Sequence, residues 1–198
     1  MNKYDVIIVG GGTAGCACAY IAGKLGLKTL LIEKNSFLGG SITSALVIPA
    51  MKTSDNAINT EFFDTLYKKL HSIGGAITYS DSNKGWFNPE LTKIVLDEMM
   101  KDANVEVVFE ANIKEIKENL SSYNVTIYNN NSFLTEEELS NPIETIYLVD
   151  ATGDAKICEK LNCEFLEKKS QPINLRFIMS GIDVEKFSNW IMNFDQNR

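Results

Sequence analysis

Four apolar residues, "VIIV" from Val6 to Val9, stop abruptly at Gly10. A continuous β-branched run of this length suits a strand buried on both faces, as at the centre of a parallel sheet, so the pattern predicts a strand over 5–9. The period then changes. Ala14, Ala17, Cys18, Ile21, Ala22 and Leu25 recur at helical spacing, and Gly26 stands where a left-handed C-terminal cap ends a helix. "KTLLIEK" reads as a second strand. Strand, glycine turn, helix and strand in about thirty residues make one βαβ unit, with parallel strands and a right-handed crossover.

Beyond Gly40 the pattern loosens through "SITSALVIPAMKTSDNAIN", a connection of small and hydroxyl residues. Phe62, Phe63, Leu66, Tyr67 and Leu70 mark one side of a helix over 61–72, with Gly74 and Gly75 past its end. Asn88 as N-cap and Pro89 in the first turn open another helix, whose apolar stripe reads Leu91, Ile94, Val95 and Met99. "VEVVFE", "IKEIKE", "YNVTIY" and "TIYLVD" read as strands, and the polar run "NNNSFLTEEELSNP" as an exposed hairpin loop. The expected fold is α/β: a Rossmann-like parallel sheet with an antiparallel β-meander.

Composition narrows the function. The 198 residues are 44% hydrophobic, enough for a real core, and 19 basic against 26 acidic residues give a net charge of −7. An acidic surface disfavours nucleic acid and anionic membrane as partners. Cys16, Cys18, Cys158 and Cys163 match neither a zinc ribbon nor a disulfide framework, and read as reduced thiols of a cytoplasmic protein. No metal site, iron–sulfur cysteine set or redox CxxC is present in the pattern. The apolar stretch 6–22 carries four glycines and a helical period, so it is read as neither signal nor membrane segment.

The glycines have a shared chemistry. A dinucleotide lays its pyrophosphate on a helix N-terminus, where free amides and the helix dipole favour negative charge. Gly10 permits the tight turn after the strand, Gly12 lets phosphates reach the backbone, and Gly15 lets helix and strand pack closely. Glu33 follows 23 residues after Gly10, placed for a carboxylate to accept from both hydroxyls of an adenosine ribose and to repel a 2′-phosphate. The plainer reading of Glu33 is an exposed acid beside Lys34. "FLGGS" offers a second glycine turn, and "LVDATGDA" ends a strand in residues small enough for a cofactor to approach. His71 reads as a cation at a helix C-terminus, Cys16 and Cys18 as core thiols, and "KGWF" at 84–87 as a packing anchor.

These segments, in this order, resemble the FAD-dependent oxidoreductases of the glutathione-reductase-type superfamily, nearest the group whose flavin domain is related to the flavin-binding chain of heterodisulfide reductase. "DVIIVGGGTAGCACAYIAGKLGLKTLLIEK" is similar to the flavin fingerprint, "LGGSITSALVIPAM" to the second glycine turn, and "NVEVVFEANIKEI" to the adenine-side strand. "VDATGDA" resembles the alanine-threonine-glycine motif, and "QPINLRFIMSGIDVEKF" the strand and helix that open a substrate domain. The resemblance implies that Gly10, Gly12, Thr13, Ala14 and Gly15 line the pyrophosphate of FAD. It implies Glu33 and Lys34 at the ribose, Gly40 and Ser41 at the phosphate and ribityl side, and the backbone of Ile113 at adenine. Gly153 and Asp154 would lie close to the cofactor, with N-capping of the following helix as the other role open to Asp154.

The implied organisation is an FAD-binding domain over 1–160, incomplete because the family's returning strand and helix do not follow, and the beginning of a substrate domain over 161–198. The expected function is hydride or electron transfer from flavin to an unidentified small substrate, with catalytic residues unassigned. The alternative is a noncatalytic dinucleotide-binding or interaction module. An NAD-linked dehydrogenase fits the second glycine turn less well. The unfinished sheet leaves an edge open to self-association.

Overall fold

The computed structural model describes residues 3–49, 60–78, 86–129, 141–166 and 173–195. It divides into two compact units, residues 1–167 and 168–198.

The first unit runs β1 (Lys3–Val9), α1 (Thr13–Lys24), β2 (Thr29–Ile32), a 3-10 turn (Gly40–Ile42), α2 (Glu61–Ser72), β3 (Ala76–Ile77), β4 (Trp86–Phe87), α3 (Pro89–Asp102), β5 (Glu106–Val108), β6 (Ala111–Glu118), β7 (Tyr123–Asn129), β8 (Ile143–Asp150) and α4 (Lys156–Lys160). Six strands form one sheet in the order β5-β2-β1-β8-β7-β6. β1 is central: Ile7 pairs in parallel with Leu30 on one side and with Leu148 on the other. β2 pairs in parallel with β5, whereas β7 runs antiparallel to both β6 and β8.

Both faces of β1 are covered, which explains its unbroken apolar run. Val6 and Ile8 face the helices, packing with Cys16, Tyr20, Leu66 and Leu96. Ile7 and Val9 face the meander, packing with Ile113, Val125 and Ile127. Since successive strand side chains point to opposite faces, an alternating sequence would have left one of these cores polar.

Helix limits follow the expected signals. The Asn88 side chain accepts from the amides of Glu90 and Leu91 at 2.9 and 3.1 Å, with Pro89 in the first turn. The stripe of α3 is rotated from its expected position: Val95, Leu96, Met99 and Met100 are buried, whereas Ile94 is exposed. Each helix of this unit ends in a Schellman turn, in which a left-handed residue lets the next amide reach back to the carbonyl five residues earlier. The left-handed residues are Gly26, Gly74, Asn104 and Asn162. The closing bonds run from Leu27 to Ala22, Gly75 to Leu70, Val105 to Met100 and Cys163 to Cys158, at 2.7–3.1 Å.

The pattern did not announce the two-residue ladder of β3 and β4, where Ala76 pairs with Phe87. Phe87 is buried and Trp86 half exposed, while Lys84 and Gly85 lie outside the described residues. The hairpin loop expected between β7 and β8 falls mostly on 130–140, also outside them.

In the second unit, α5 (Val184–Asp195) is capped by Asp183, whose carboxylate accepts from the Lys186 amide at 3.0 Å. The strand expected before it is not formed among the described residues: 173–180 join no β-ladder.

Candidate dinucleotide site

Two glycine turns meet at the carboxyl edge of the parallel strands. Gly10 adopts φ +102° and donates to the Ile32 carbonyl at 2.8 Å; a Cβ there would lie 2.6 Å from the Ala151 carbonyl oxygen. A Cβ on Gly15 would collide with the carbonyl oxygen of Gly10. Both positions are therefore glycine for the sake of the fold. Gly12 differs, because a Cβ on it would meet nothing within 4 Å. Its side-chain direction is open space, as a backbone that must receive a ligand requires.

The second turn is stitched to the first. The Gly39 amide donates to the Gly11 carbonyl at 2.8 Å, and the Thr13 hydroxyl donates to the Gly39 carbonyl at 3.3 Å. A Cβ on Gly40 would lie 2.9 Å from the Gly12 Cα, so the two turns stand side by side as one bare wall.

That wall bounds a cavity of about 730 Å³. Gly10, Gly12, Thr13 and Ala14 line it from the first turn, Glu33 and Lys34 from the end of β2, and Gly40 and Ser41 from the second turn. Ile113 enters from β6, and Gly153 and Asp154 from the loop after β8. Gly15 does not line it; buried on α1, it supports the turn from beneath. The cavity also takes in Asn112, Tyr128, Lys156 and Lys160, which motif reading missed. Lys156 and Lys160 stand one helical turn apart on α4, and that four-residue spacing is the signal by which the sequence could have paired them. With Lys34 they set cations around a cavity floored by helix-terminal amides, which suits a diphosphate.

Glu33 is no surface acid. It is 5% exposed, and its carboxylate accepts from the Gly11 amide at 2.6 Å, the Asn35 amide at 2.8 Å and the Asn35 side chain at 2.7 Å. It thus fixes the first glycine turn against the end of β2. A carboxylate offers about four lone-pair directions, and three are already used.

Asp154 does not cap the helix after β8. It is exposed and pairs with Lys156 at 3.5 Å. Asp150 does the capping: one carboxylate oxygen accepts from the amides of Ile157 and Cys158, both at 2.9 Å. Its other oxygen accepts from the amide and hydroxyl of Thr152, at 2.9 and 2.6 Å. The left-handed Ala155 turns the chain so that the acid at the strand end, not the nearer one, reaches the free amides. Burial pulls the Asp150 pKa up, but the donors from Thr152 and Cys158 outweigh it and hold the carboxyl below the usual range.

The remaining candidates lie elsewhere. His71 is exposed at the end of α2, its Nε2 3.4 Å from the Thr78 hydroxyl and its ring against Tyr67. The Cys16 thiol is fully buried and donates to the Gly11 carbonyl; burial pushes its pKa up to about 12. Such a thiol is packing, not a nucleophile. Among the described residues no cluster of His, Cys, Asp and Glu is arranged to hold a metal, and no helix is long and apolar enough to cross a membrane.

Known proteins resemble this chain in part of its sequence and in its fold. Digeranylgeranylglycerophospholipid reductase of Methanocaldococcus jannaschii is 36% identical over 83 residues, covering 42% of this chain and 20% of that protein. Ferredoxin–NADP reductase of Mycoplasmoides gallisepticum is 37% identical over 86 residues, 40% of this chain and 26% of that protein. The chain thus matches about a quarter or less of either relative. In fold it is similar to p-nitrophenol 4-monooxygenase PnpA from Pseudomonas putida DLL-E4, with a TM-score of 0.61 and 15% identity over 81% of this chain and 44% of that one. The family model described as FAD dependent oxidoreductase matches residues 5–198, nearly end to end, so the bare double turn and its cavity belong to a member of the FAD-dependent oxidoreductase family, whose cofactor is FAD.

Proposed function

We propose that this chain holds the ADP half of FAD in the 730 Å³ cavity, as the cofactor-binding part of an oxidoreductase acting on a small molecule. The observation that carries this reading is the open space over Gly12, beside a second glycine turn too close to bear a side chain at Gly40. In this reading the pyrophosphate sits over the amides that open α1, whose first turn has no intrahelical acceptors. Thr13, Ala14 and Ser41 are exposed along that path, Lys156 and Lys160 neutralise the phosphates, and Lys34 stands beside Glu33 at the ribose.

Glu33 faces the ribose with its remaining lone pair and accepts a second hydroxyl by releasing Asn35. The backbone of Ile113 borders the adenine, and Gly153 and Asp154 border the part of the cofactor leading towards the flavin. FAD, when bound, supplies the hydride or electron transfer itself. The chain's residues bind, orient and screen it.

The order of the motifs supports a place among the glutathione-reductase-type flavoproteins, near the flavin-binding chain of heterodisulfide reductase. Four free thiols support a cytoplasmic setting.

Titration of the purified chain with FAD, followed by quenching of flavin fluorescence, tests the reading. Saturable quenching that NADP does not reverse is expected. A folded chain that leaves flavin fluorescence untouched contradicts it.

A further inference from the structure

The Schellman turn that ends α4 places two cysteines against each other. In this motif the third residue from the helix end and the second residue beyond the cap turn their side chains together. The molecule shows this convergence elsewhere: at the end of α2, a Cβ built on Gly75 would lie 3.1 Å from Leu70 Cδ2. The equivalent positions hold Ala22 with Leu27 and Met100 with Val105, apolar residues joined by the same backbone bond. At the end of α4 the pair is Cys158 with Cys163.

We infer that Cys158 and Cys163 are a dithiol that closes reversibly to a disulfide by exchange with a low-molecular-weight disulfide. The Cys163 amide donates to the Cys158 carbonyl at 3.0 Å. Standard bond lengths on either side of that contact keep the two Cα atoms within about 7 Å, the outer limit for a disulfide. The two thiols also touch each other, and Cys158 donates its own hydrogen to Asp150. Cys163 is exposed and Cys158 half-buried, so a small oxidant reaches the pair, whereas Cys16 is sealed in the core.

The donation to Asp150 holds the Cys158 thiol protonated to higher pH than usual, which leaves the first attack to Cys163. Its thiolate attacks one sulfur of the small disulfide, whose S–S bond breaks. One small thiol leaves with the proton that Cys163 gave up. Cys158 then attacks the Cys163 sulfur, and the second small thiol leaves with the Cys158 proton. The protein pair loses two electrons and two protons, and the small disulfide is reduced to two thiols. Closure also withdraws the thiol donor from Asp150, the carboxylate that anchors Thr152 at the cavity edge.

The test equilibrates the whole chain with mixtures of oxidised and reduced glutathione, quenches with acid, unfolds the quenched chain, alkylates the remaining thiols and maps them by mass spectrometry. A Cys158–Cys163 disulfide is expected, with Cys16 and Cys18 alkylated. The same titration in guanidinium separates geometry from mere nearness in sequence. In the folded chain the disulfide should resist reduction at least about tenfold more strongly, or about 30 mV for this two-electron couple. Asn162→Gly, which keeps the left-handed turn, should preserve that advantage, and Asn162→Val should lose it. Glutathione remaining on both cysteines, pairing with Cys18, no oxidation, or equal behaviour in folded and unfolded chains would each overturn the inference.

Discussion

Valine in place of Gly12 should leave the chain folded and strip it of nucleotide affinity, a separation that few substitutions in a glycine loop offer. Gly12 sits at φ −71° and ψ −174°, an extended conformation open to any residue, and nothing lies within 4 Å of its Cβ direction. The fold loses only glycine's advantage as N-cap of α1, on the order of 1 kcal/mol or less. For a chain of this size that lowers Tm by about 2–4 °C. A ligand loses far more. An isopropyl group over Gly12 fills the approach to the first amides of α1, and losing two charge-assisted bonds at about 1.5–3 kcal/mol each removes about 3–6 kcal/mol of binding. At about 1.4 kcal/mol per decade, affinity falls roughly 10²- to 10⁴-fold. Gly15→Val is the control. Its Cβ would collide with the Gly10 carbonyl oxygen, so that variant should fail by unfolding. Calorimetric titration with ADP beside a thermal melt distinguishes the two. Gly12→Val binding ADP as tightly as the parent, or melting as early as Gly15→Val, would refute the reasoning.

Three further outcomes follow from the side chains around the cavity. Glu33→Ala should weaken FAD by about 1–3 kcal/mol in titration and also lower stability by about 1–3 kcal/mol, because the Gly11 amide loses its acceptor; a variant with unchanged Tm would show that the Gly11 bond carries no load. Because the Asp150 carboxyl is held below its usual range, its stabilisation is present above the unfolded value near pH 4 and is lost as pH falls through the lower folded value. Asp150→Asn should therefore cost about 1–3 kcal/mol at pH 7 and flatten the acid limb of a stability-against-pH curve, which denaturant melts between pH 3 and 7 would reveal. With its pKa pushed up to about 12 by burial, Cys16 should resist iodoacetamide in the native chain and react after unfolding, whereas Cys163 should label at once; native labelling of Cys16 would contradict its place in the core.

How much of this was legible in the sequence depends on the range of the interaction. The βαβ unit was plain because "VIIV", the helical period after it and "TLLI" each carry their own signal, and each is buried as that signal requires. Asn88 and the left-handed residues after the helices were local signals too. The β3–β4 ladder was not, since two residues per strand hold no period and the pairing depends on contact between Ala76 and Phe87. Ile94 fell in the expected stripe, yet the packing partners of α3 select the face through Val95 and Met99 and leave it outside. At the site, the glycines spoke for themselves. Glu33 and Asp150 did not, because their tasks lie with Gly11 and Cys158, partners that the fold brings within reach. Asp154 looked like the cap by proximity in sequence, and the left-handed Ala155 gave that task to Asp150.

Competition between ADP and FAD for the folded chain tests the central claim most directly. If the double glycine turn holds the cofactor by its ADP half, ADP alone should bind with one-to-one stoichiometry and displace FAD completely, as read from the return of flavin fluorescence. FAD that binds and is not displaced by saturating ADP would show that the cofactor is held elsewhere, and that the open space over Gly12 is not its seat.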